Sequence, residues 1–277
     1  ITSGILGRGN APDPATAALS PAADWGAPVV LDGGLARVPR PEVAMDNAGA
    51  AMVAWSPGGS VSVAHRPRGG AWTTPFRLSP RSVPTGDPAL ALARDGRSAV
   101  VVWRERRGAG LDRRVLRLPD GSVAGVITRR IGGEYVLVAR RWRADAGWAA
   151  PIEVSEAGGN ARDMARPRVA VSDDGFLIAW TRADALEART LSPAGDLGAL
   201  EEIAPAGSGQ PAGPFLAPDR RGRAVLAWGK RIASPDRAPG TYAVEVARRD
   251  ATGWSVPRTL AEGSVNDPRP AAAVSGD

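Results

Sequence analysis

Four short apolar runs, each ending in a tryptophan, recur along the chain. They read AMVAW, AVVVW, FLIAW and AVLAW, and they end at Trp55, Trp103, Trp180 and Trp228. A turn signal containing Asp and Gly precedes each run, and a short apolar segment led by proline precedes each turn. Two short strands joined by such a turn form a β-hairpin, so the pattern predicts four hairpins.

A second pair of short strands follows each of these tryptophans. Its first strand ends in an Ala-Arg-like step, in SVSVAHR, YVLVARR, ALEART and YAVEVARR, and its turn leads into Trp72, Trp148 or Trp254 and then a proline. The third unit has Leu197 in place of this tryptophan. Each unit therefore predicts four antiparallel strands without a helical period, which is the pattern of one propeller blade.

The spacing of the units predicts their boundaries. Trp55 and Trp103 are 48 residues apart, and so are Trp180 and Trp228. The predicted blades cover about 36–80, 84–156, 165–205 and 212–262. The second unit is longer because it contains an insertion at 104–133, in which VLRLPDGSVAGVI predicts a small extra hairpin.

The two ends of the chain carry strand patterns of one further blade. Residues from Pro268 repeat the first-strand pattern, and Asp24–Leu31, which includes Trp25, repeats the fourth-strand pattern. The sequence therefore predicts a single all-β domain over 1–277, a five-bladed β-propeller of four-stranded antiparallel blades. Pairing of 265–277 with 1–33 would close the ring and leave no open sheet edge. The alternative is a fragment of a larger propeller.

The composition excludes several kinds of site. The chain has no cysteine and one histidine, so it contains no disulfide, thiolate site or multi-histidine metal site. His65 occupies the repeat position of Arg140, Arg189 and Arg248, which argues against a catalytic triad. The Asp-Gly turns lack the spaced carboxylates of a calcium loop. We expect neither a metal nor a cofactor.

Charge and hydropathy bear on the partners. The net charge is +6, but the arginines are scattered among acidic residues with no block of five like charges, and Lys230 is the only lysine, so we expect no nucleic-acid partner. No apolar run approaches the length of a membrane span, and we expect no membrane insertion. We expect an extracellular or cell-envelope protein.

The turn before the fourth strand resembles the Asp-box of sialidase-like propellers. It reads RDATGWSVP from Arg249 and RADAGW from Arg143. In that family an Asp-Gly turn leads into a tryptophan that packs between blades, and the motif is structural. The resemblance implies the fold more than an activity, because propellers carry many functions. Five blades are also similar, in architecture alone, to five-bladed lectins and arabinan-degrading enzymes.

Eight of the nine tryptophans fall at two repeat positions, which favours packing between blades over stacking on sugars. These structural candidates are Trp25, Trp55, Trp72, Trp103, Trp148, Trp180, Trp228 and Trp254. Trp142 departs from the repeat and is the candidate exposed aromatic for ligand binding.

The sequence offers few catalytic groups. A sialidase would need a tyrosine nucleophile, a glutamate and a cluster of arginines around the substrate carboxylate. Tyr135 and Tyr242 have Glu134 and Glu245 nearby, but both tyrosines begin third strands at matching repeat positions.

An arabinanase-type glycosidase would instead need paired carboxylates at the channel. Asp87 and Asp267 both suit a turn at the start of a strand, and Glu105 follows a second strand. We therefore assign no catalytic residue from the sequence.

In a propeller, connections from fourth to first strands and from second to third strands gather on one face, here called the loop-rich face. The candidate ligand-binding residues on it are Asp87, Arg104, Glu105, Arg106, Arg166, Arg182, Asp184, Lys230, Arg231 and Asp267. A cationic rim suits an anionic or polyhydroxyl ligand. The sequence predicts a noncatalytic recognition or scaffold module that binds a glycan or a protein, and the alternative is a propeller-type glycoside hydrolase. Two facing carboxylates near the channel would favour the enzyme.

Overall fold

The computed structural model describes residues 27–33, 40–57, 59–80, 86, 88–108, 110–117, 123–131, 133–156, 167–173, 175–206, 211–219, 223–232, 241–264 and 270, with the backbone alone at 110–117 and 123–131. The chain divides into two compact units, Ile1–Gly33 and Gly34–Asp277. The described residues of the first unit, 27–33, form no helix or strand. All regular elements in the described part of the second unit are β-strands, which confirms the all-β prediction.

The first two repeat units form antiparallel sheets in which neighbouring strands follow the chain. The first sheet contains β1 (Glu42–Met45), β2 (Ala51–Trp55), β3 (Ser62–Arg66) and β4 (Phe76–Arg77). The second unit contains β5 (Ala89–Leu92), β6 (Ser98–Arg107), β7 (Gly110–Arg117), β8 (Val123–Ile131), β9 (Glu134–Arg143), β10 (Gly147–Trp148) and β11 (Ile152–Glu153). Strands β7 and β8 form a separate two-stranded sheet, and β10 and β11 both pair with β9 as one interrupted fourth strand.

The last two units repeat this arrangement. The third sheet contains β12 (Arg168–Ser172), β13 (Gly175–Arg182), β14 (Ala185–Leu191) and β15 (Glu201–Ala204). The fourth contains β16 (Pro211–Pro218), β17 (Ala224–Arg231), β18 (Tyr242–Asp250), β19 (Gly253–Trp254) and β20 (Arg258–Ser264). Both β19 and β20 pair with β18, so the fourth strand is again interrupted.

Aspartates fix the turns of the first hairpins through side-chain hydrogen bonds. Oδ1 of Asp95 accepts from the backbone N–H of Arg97 at 2.9 Å, and Oδ1 of Asp219 accepts from that of Arg223 at 2.8 Å. Gly96 follows Asp95 with a φ of 67°, a left-handed conformation that favours glycine. The Asp-Gly signals therefore act as hairpin turns.

The second-strand tryptophans form the core between consecutive sheets. Trp55, Trp103, Trp180 and Trp228 are at most 3% exposed. Three of them pack against the second strand of the preceding sheet: Trp103 clusters with Met52 and Ala54, Trp180 with Val100 and Val102, and Trp228 with Leu177 and Ala179. Each sheet is thus joined to the one before it by the same large aromatic side chain.

The first strands of consecutive sheets are neighbours, since β1 contacts β5, β5 contacts β12, and β12 contacts β16. Nη1 of Arg168 lies 3.9 Å from Oε1 of Glu42 in the first sheet, and Nε of Arg168 donates to the carbonyl of Pro214 in the fourth at 2.8 Å. Nη2 of Arg94 in the second sheet donates to the carbonyl of Asp219 in the fourth at 2.8 Å. Contacts between non-consecutive sheets show that the first strands converge on a common axis.

Third-strand arginines reach across two of the sheet interfaces. Nη1 of Arg140 donates to the carbonyl of Leu78 at 3.1 Å, and Nη1 of Arg189 donates to the carbonyl of Val154 at 3.1 Å. In both cases the acceptor belongs to the end of the preceding sheet. These arginines therefore supplement the tryptophan contacts with charge-assisted hydrogen bonds.

The strand register corrects the predicted equivalence of His65 with all three arginines. His65 lies opposite Met52, three residues before its tryptophan, and Arg248 lies opposite the corresponding Val225. Arg140 and Arg189 instead lie opposite residues that are two positions before the tryptophans of their own sheets. Because side chains alternate between the faces of a strand, this one-residue difference changes the interface that each side chain meets.

Trp142 is not the exposed aromatic that the sequence predicted. It is half-buried, packs against the core between the first two sheets, and its ring centroid lies 4.8 Å from that of His65. It lies opposite Ala99 and Trp148, at the end of the sheet away from the loop-rich face. An off-register tryptophan here fills the core and offers no ligand surface.

The insertion prolongs the second hairpin of the second sheet. Strands β6 and β9 pair as far as Arg107 opposite Glu134, and β7 and β8 continue from Gly110 opposite Ile131. The ladder extends to Arg117 opposite Val123, so it is longer than the small hairpin that the sequence predicted. At about 3.4 Å per residue the paired strands, 110–117 and 123–131, form a ribbon about 25 Å long, and with the residues that join them in sequence the segment is 110–131. It is called the arm below.

The predicted fifth blade falls on residues that are largely outside the described ones. These are 1–26, which include Trp25, and 265–277 apart from Pro270. The prediction of several four-stranded antiparallel sheets is confirmed, and the number of blades remains a prediction.

We expect Trp180→Ala to lower the free energy of unfolding by about 3–5 kcal/mol, because it removes a fully buried aromatic side chain from a sheet interface. Chemical denaturation measures this loss. Trp72→Ala is the matched control, since Trp72 is only half-buried, and it should cost clearly less. Equal costs for the two substitutions would contradict the assigned core.

Candidate functional site

The second strands end at the loop-rich face, and the candidate residues in the described part of the chain lie there. Arg104, Glu105 and Arg106 lie near the end of β6, Arg182 ends β13 with Asp184 in the next turn, and Lys230 and Arg231 end β17. Equivalent positions in three sheets thus bring them to one end of the molecule. Asp87, Arg166 and Asp267 lie outside the described residues.

Two glutamates from different sheets share the guanidinium of Arg182. Glu187 accepts from Nη2 at 2.6 Å and from Nε at 3.1 Å, and Oε2 of Glu156 lies 3.9 Å from Nη1. The side chain of Glu187 is 3% exposed, whereas that of Glu156 is 76% exposed. The Glu187 hydrogen bond raises the pKa of Arg182 above its ordinary value. These three residues are called the Arg182 cluster.

The backbone fixes Arg182 through a tight hairpin. Arg182 pairs with Ala185, so only two residues, Ala183 and Asp184, form the turn between β13 and β14. Ala183 has a φ of 54°, which a two-residue hairpin requires and which is costly for a residue other than glycine. This strained turn holds Arg182 beside Glu187 on the neighbouring strand.

A second cluster forms around Arg107 at the end of β6. Nε of Arg107 lies 3.5 Å from Oε1 of the buried Glu105, and Nη1 contacts the carboxylate of Glu153. Oε2 of Glu105 also accepts from the indole N–H of Trp103 at 3.3 Å. Glu105 is therefore buried directly above the tryptophan core of the first interface.

The fourth sheet contains one ion pair at the corresponding strand end, between Lys230 and Glu245. Nζ of Lys230 lies 2.9 Å from Oε1 of Glu245, and Glu245 is buried opposite Trp228 on the next strand. Glu187 likewise lies opposite Trp180. A buried carboxylate therefore lies next to the second-strand tryptophan at each of three successive interfaces.

Tyr135, the tyrosine candidate in the second sheet, contacts an arginine. Arg104 lies over its ring, with the guanidinium carbon 5.8 Å from the ring centroid. Tyr135 is half-buried, and the adjacent Glu134 is exposed. This places one cation–π pair of the loop-rich face at the base of the arm.

A cleft of ≈ 330 Å³ opens at the opposite end of the sheets, among the first-hairpin turns. Arg94, Asp95, Asp173 and Asp219 contribute to its lining. Asp95 and Asp219 accept turn hydrogen bonds, and Asp219 also pairs with Arg223. These carboxylates therefore stabilise the turns of the fold.

The described residues contain neither a metal-ligand cluster nor a membrane-spanning helix. Among them, no group of three or more His, Cys, Asp or Glu side chains has the arrangement of a metal site. No helix in the same part of the chain is long and apolar enough to cross a membrane.

Comparison with known proteins gives similarity at the level of structure. No family model and no curated protein matches the sequence. The intramolecular trans-sialidase of Ruminococcus gnavus, solved with oseltamivir carboxylate, superposes with a TM-score of 0.50 and 10% identity over 80% of this chain and 71% of the enzyme. The α-L-arabinanase of Penicillium chrysogenum, solved with arabinobiose, gives 0.51 and 14% over 84% and 70%.

The leech intramolecular trans-sialidase, solved with 2,7-anhydro-Neu5Ac, is a third similar structure, with a TM-score of 0.50 and 11% identity over 80% of this chain and 51% of that enzyme. At such low identity these similarities concern the fold. The chain resembles sialidase-like propeller proteins at the level of fold, as the Asp-box-like turns predicted.

The prediction of a noncatalytic recognition module is wrong as the leading interpretation. The similar solved structures are glycan-processing enzymes, which favours the glycoside hydrolase alternative. The prediction rested on a shortage of carboxylates along the inner strands. It considered Glu105 but overlooked Glu187 on a third strand and Glu153 and Glu156 at the end of a fourth, where the Arg107 and Arg182 clusters lie.

Sequence reasoning missed Arg107, Glu153, Glu156 and Glu187. Glu187 could have been found from its place opposite Trp180, because a carboxylate at a buried strand position needs a cation nearby. Glu156 carries no such signal, since it lies just after a fourth strand, where acidic residues are ordinary.

We expect Arg182→Met to lower the free energy of unfolding by about 3 kcal/mol, because it leaves the buried Glu187 carboxylate without its cation. Arg182→Met combined with Glu187→Met should recover most of the loss, as measured by urea denaturation. Arg143→Met, which breaks the exposed pair with Asp145, should change little. A double variant as unstable as the single variant would contradict the pairing.

Proposed function

We propose that the protein is a propeller-type glycoside hydrolase whose active site lies on the loop-rich face at the Arg182 cluster. The observation that carries the proposal is the shared guanidinium. Contacts of 2.6 and 3.9 Å to neighbouring nitrogens of Arg182 bring the carboxylates of Glu187 and Glu156 within roughly 9 Å of each other. This upper limit includes the separations of inverting glycosidases, which leave room for a water molecule between a carboxylate and the sugar, and the proposed mechanism is of this kind.

The two carboxylates have environments that suit different roles. In this proposal Glu187, which is buried beside Arg182, is the base that takes a proton from the attacking water. Glu156 is exposed until a glycan covers it, and it serves as the acid that protonates the leaving oxygen. The water oxygen bonds to the anomeric carbon as the glycosidic C–O bond breaks, and the anomeric configuration inverts.

The proposed binding partner is a glycan substrate. The proposed location is the cell envelope or the extracellular space. The fold-level similarity to a trans-sialidase and an arabinanase supports carbohydrate chemistry without selecting the sugar. The cationic residues of the loop-rich face favour an anionic or polyhydroxyl substrate. Arg104, Arg106, Lys230 and Arg231 are the proposed contributors to binding.

We also propose that a fifth blade closes the propeller and that it consists of the strands predicted within 1–33 and 265–277. Val43 and Met45 on β1 are 62% and 60% exposed, whereas Ala44 between them packs on the core shared with the second sheet. Trp55 occupies the position whose counterparts contact a preceding sheet. These apolar residues support a further sheet on that side of the first one.

The hydrolase is tested by assaying the full chain on sialosides and arabinans. We expect Glu156→Gln and Glu187→Gln each to lower kcat by about 10²–10⁴-fold, the range for loss of a general acid or base. Glu134→Gln, an exposed glutamate near the same face, is the control and should retain full activity. Glu156→Gln removes no buried contact, so it tests the role apart from stability, and undiminished activity would contradict it.

Closure is tested by placing a charge on the exposed side of β1. We expect Met45→Glu to lower the free energy of unfolding by about 2 kcal/mol, because a carboxylate would enter an apolar interface. Val256→Glu is the control, at a side chain that is 87% exposed, and should leave stability unchanged. Equal stability of the two variants in urea denaturation would remove the support for a fifth blade.

A further inference from the structure

We propose that the arm, residues 110–131, is a docking surface for anionic glycan chains, which it presents to the loop-rich face. The inference rests on the proposed function, since it names the class of polymer that such an active site receives. The ligand is a polysaccharide with carboxylate or sulfate groups along its length.

The arm concentrates the charge of the protein. It contains five arginines and two aspartates, a net charge of +3, whereas all 277 residues together carry +6. Half of the net positive charge therefore falls within one short ribbon. A local charge density of this kind attracts a polyanion more strongly than the same charge spread over the surface.

The strand register places four of these arginines on consecutive rungs of the ladder. The rungs are Leu111 opposite Arg130, Asp112 opposite Arg129, Arg113 opposite Thr128 and Arg114 opposite Ile127. Four rungs span about 10 Å along the strands. Asp112 is the only acidic residue among them, so this stretch of the arm is the most basic.

The arm is continuous with the proposed active site. Its strands follow β6 and β9, and Arg104, Arg106 and Arg107 lie on β6 just before it begins. A chain bound along the arm therefore reaches the Arg107 cluster at its base, in the same sheet whose fourth-strand end carries Glu156. Arginine suits this task because its guanidinium forms paired hydrogen bonds with carboxylate and sulfate oxygens.

The residue types of the arm favour a charged glycan over a single-stranded nucleic acid. Between residues 104 and 133 the sequence contains no aromatic residue. Proteins that bind single strands use aromatic side chains on which the bases stack, together with a cationic groove. The arm supplies the cations alone, and these are sufficient for a polymer that carries charge without bases.

The test compares the full chain with a variant in which Arg113, Arg114, Arg129 and Arg130 are all changed to Gln. A charge-matched control changes Arg68, Arg77, Arg248 and Arg258, which are exposed and outside the arm, to Gln. Binding to polygalacturonate, dextran sulfate, uncharged dextran and a single-stranded oligonucleotide is measured at low and high salt. We expect the arm variant to bind at least one charged glycan about tenfold more weakly than the full chain, and the control to remain within about twofold.

The two glycan probes distinguish carboxylate from sulfate recognition. Equal losses in both variants, or no binding of either charged glycan by the unaltered chain, would overturn the inference. Tighter binding of the oligonucleotide than of both charged glycans would overturn it in favour of nucleic acid. Hydrolysis of the sialosides and arabinans named above is measured in parallel. Absence of hydrolysis alongside arm-dependent binding rejects the proposed function only, and hydrolysis with arm-independent binding rejects the role of the arm only.

Discussion

The packing of one tryptophan per sheet into the preceding sheet is the contact on which the rest of the structure depends. Trp103, Trp180 and Trp228 each fill the space between two second strands, where apolar side chains of the preceding strand receive the indole. A four-stranded sheet cannot bury both faces by itself, so each repeat is stable only beside its neighbours. The same contact, repeated, sets the first strands side by side and brings every second-strand end to one face.

That geometry also creates the buried charges. The indole side chains close the core just below the loop-rich face, and Glu105, Glu187 and Glu245 lie directly beside them. Burying a carboxylate is costly unless a cation accompanies it, and Arg107, Arg182 and Lys230 perform that role. Replacing a buried ion pair by hydrophobic residues is often neutral or stabilising, so stability alone does not explain these pairs. The Arg182 cluster extends between sheets to an exposed glutamate, which makes it the stronger candidate for chemistry.

The sequence predicted the hairpins and the tryptophan core because both depend on local signals. Asp-Gly turns and alternating apolar residues determine a hairpin within about ten residues. The failures concern pairing across strands. His65 and Arg140 align in sequence yet differ by one residue in register, and Trp142 fills a gap that no repeat pattern describes. Glu187 and Arg182 are five residues apart, and only the register of β13 with β14 makes them a pair. The noncatalytic prediction failed for the same reason, since it searched the inner strands for carboxylates that lie at the strand ends.

The central claim is that Glu156 and Glu187 act on opposite sides of the anomeric carbon: Glu156 protonates the glycosidic oxygen, and Glu187 activates a water that lies between it and the anomeric carbon. The most direct measurement is proton NMR of the sugar anomer first released from a substrate that the protein hydrolyses, recorded before mutarotation. The proposed mechanism predicts that the product initially has the opposite anomeric configuration to the substrate. Initial retention of configuration would contradict the account, because it requires a closer pair of carboxyls and a covalent intermediate.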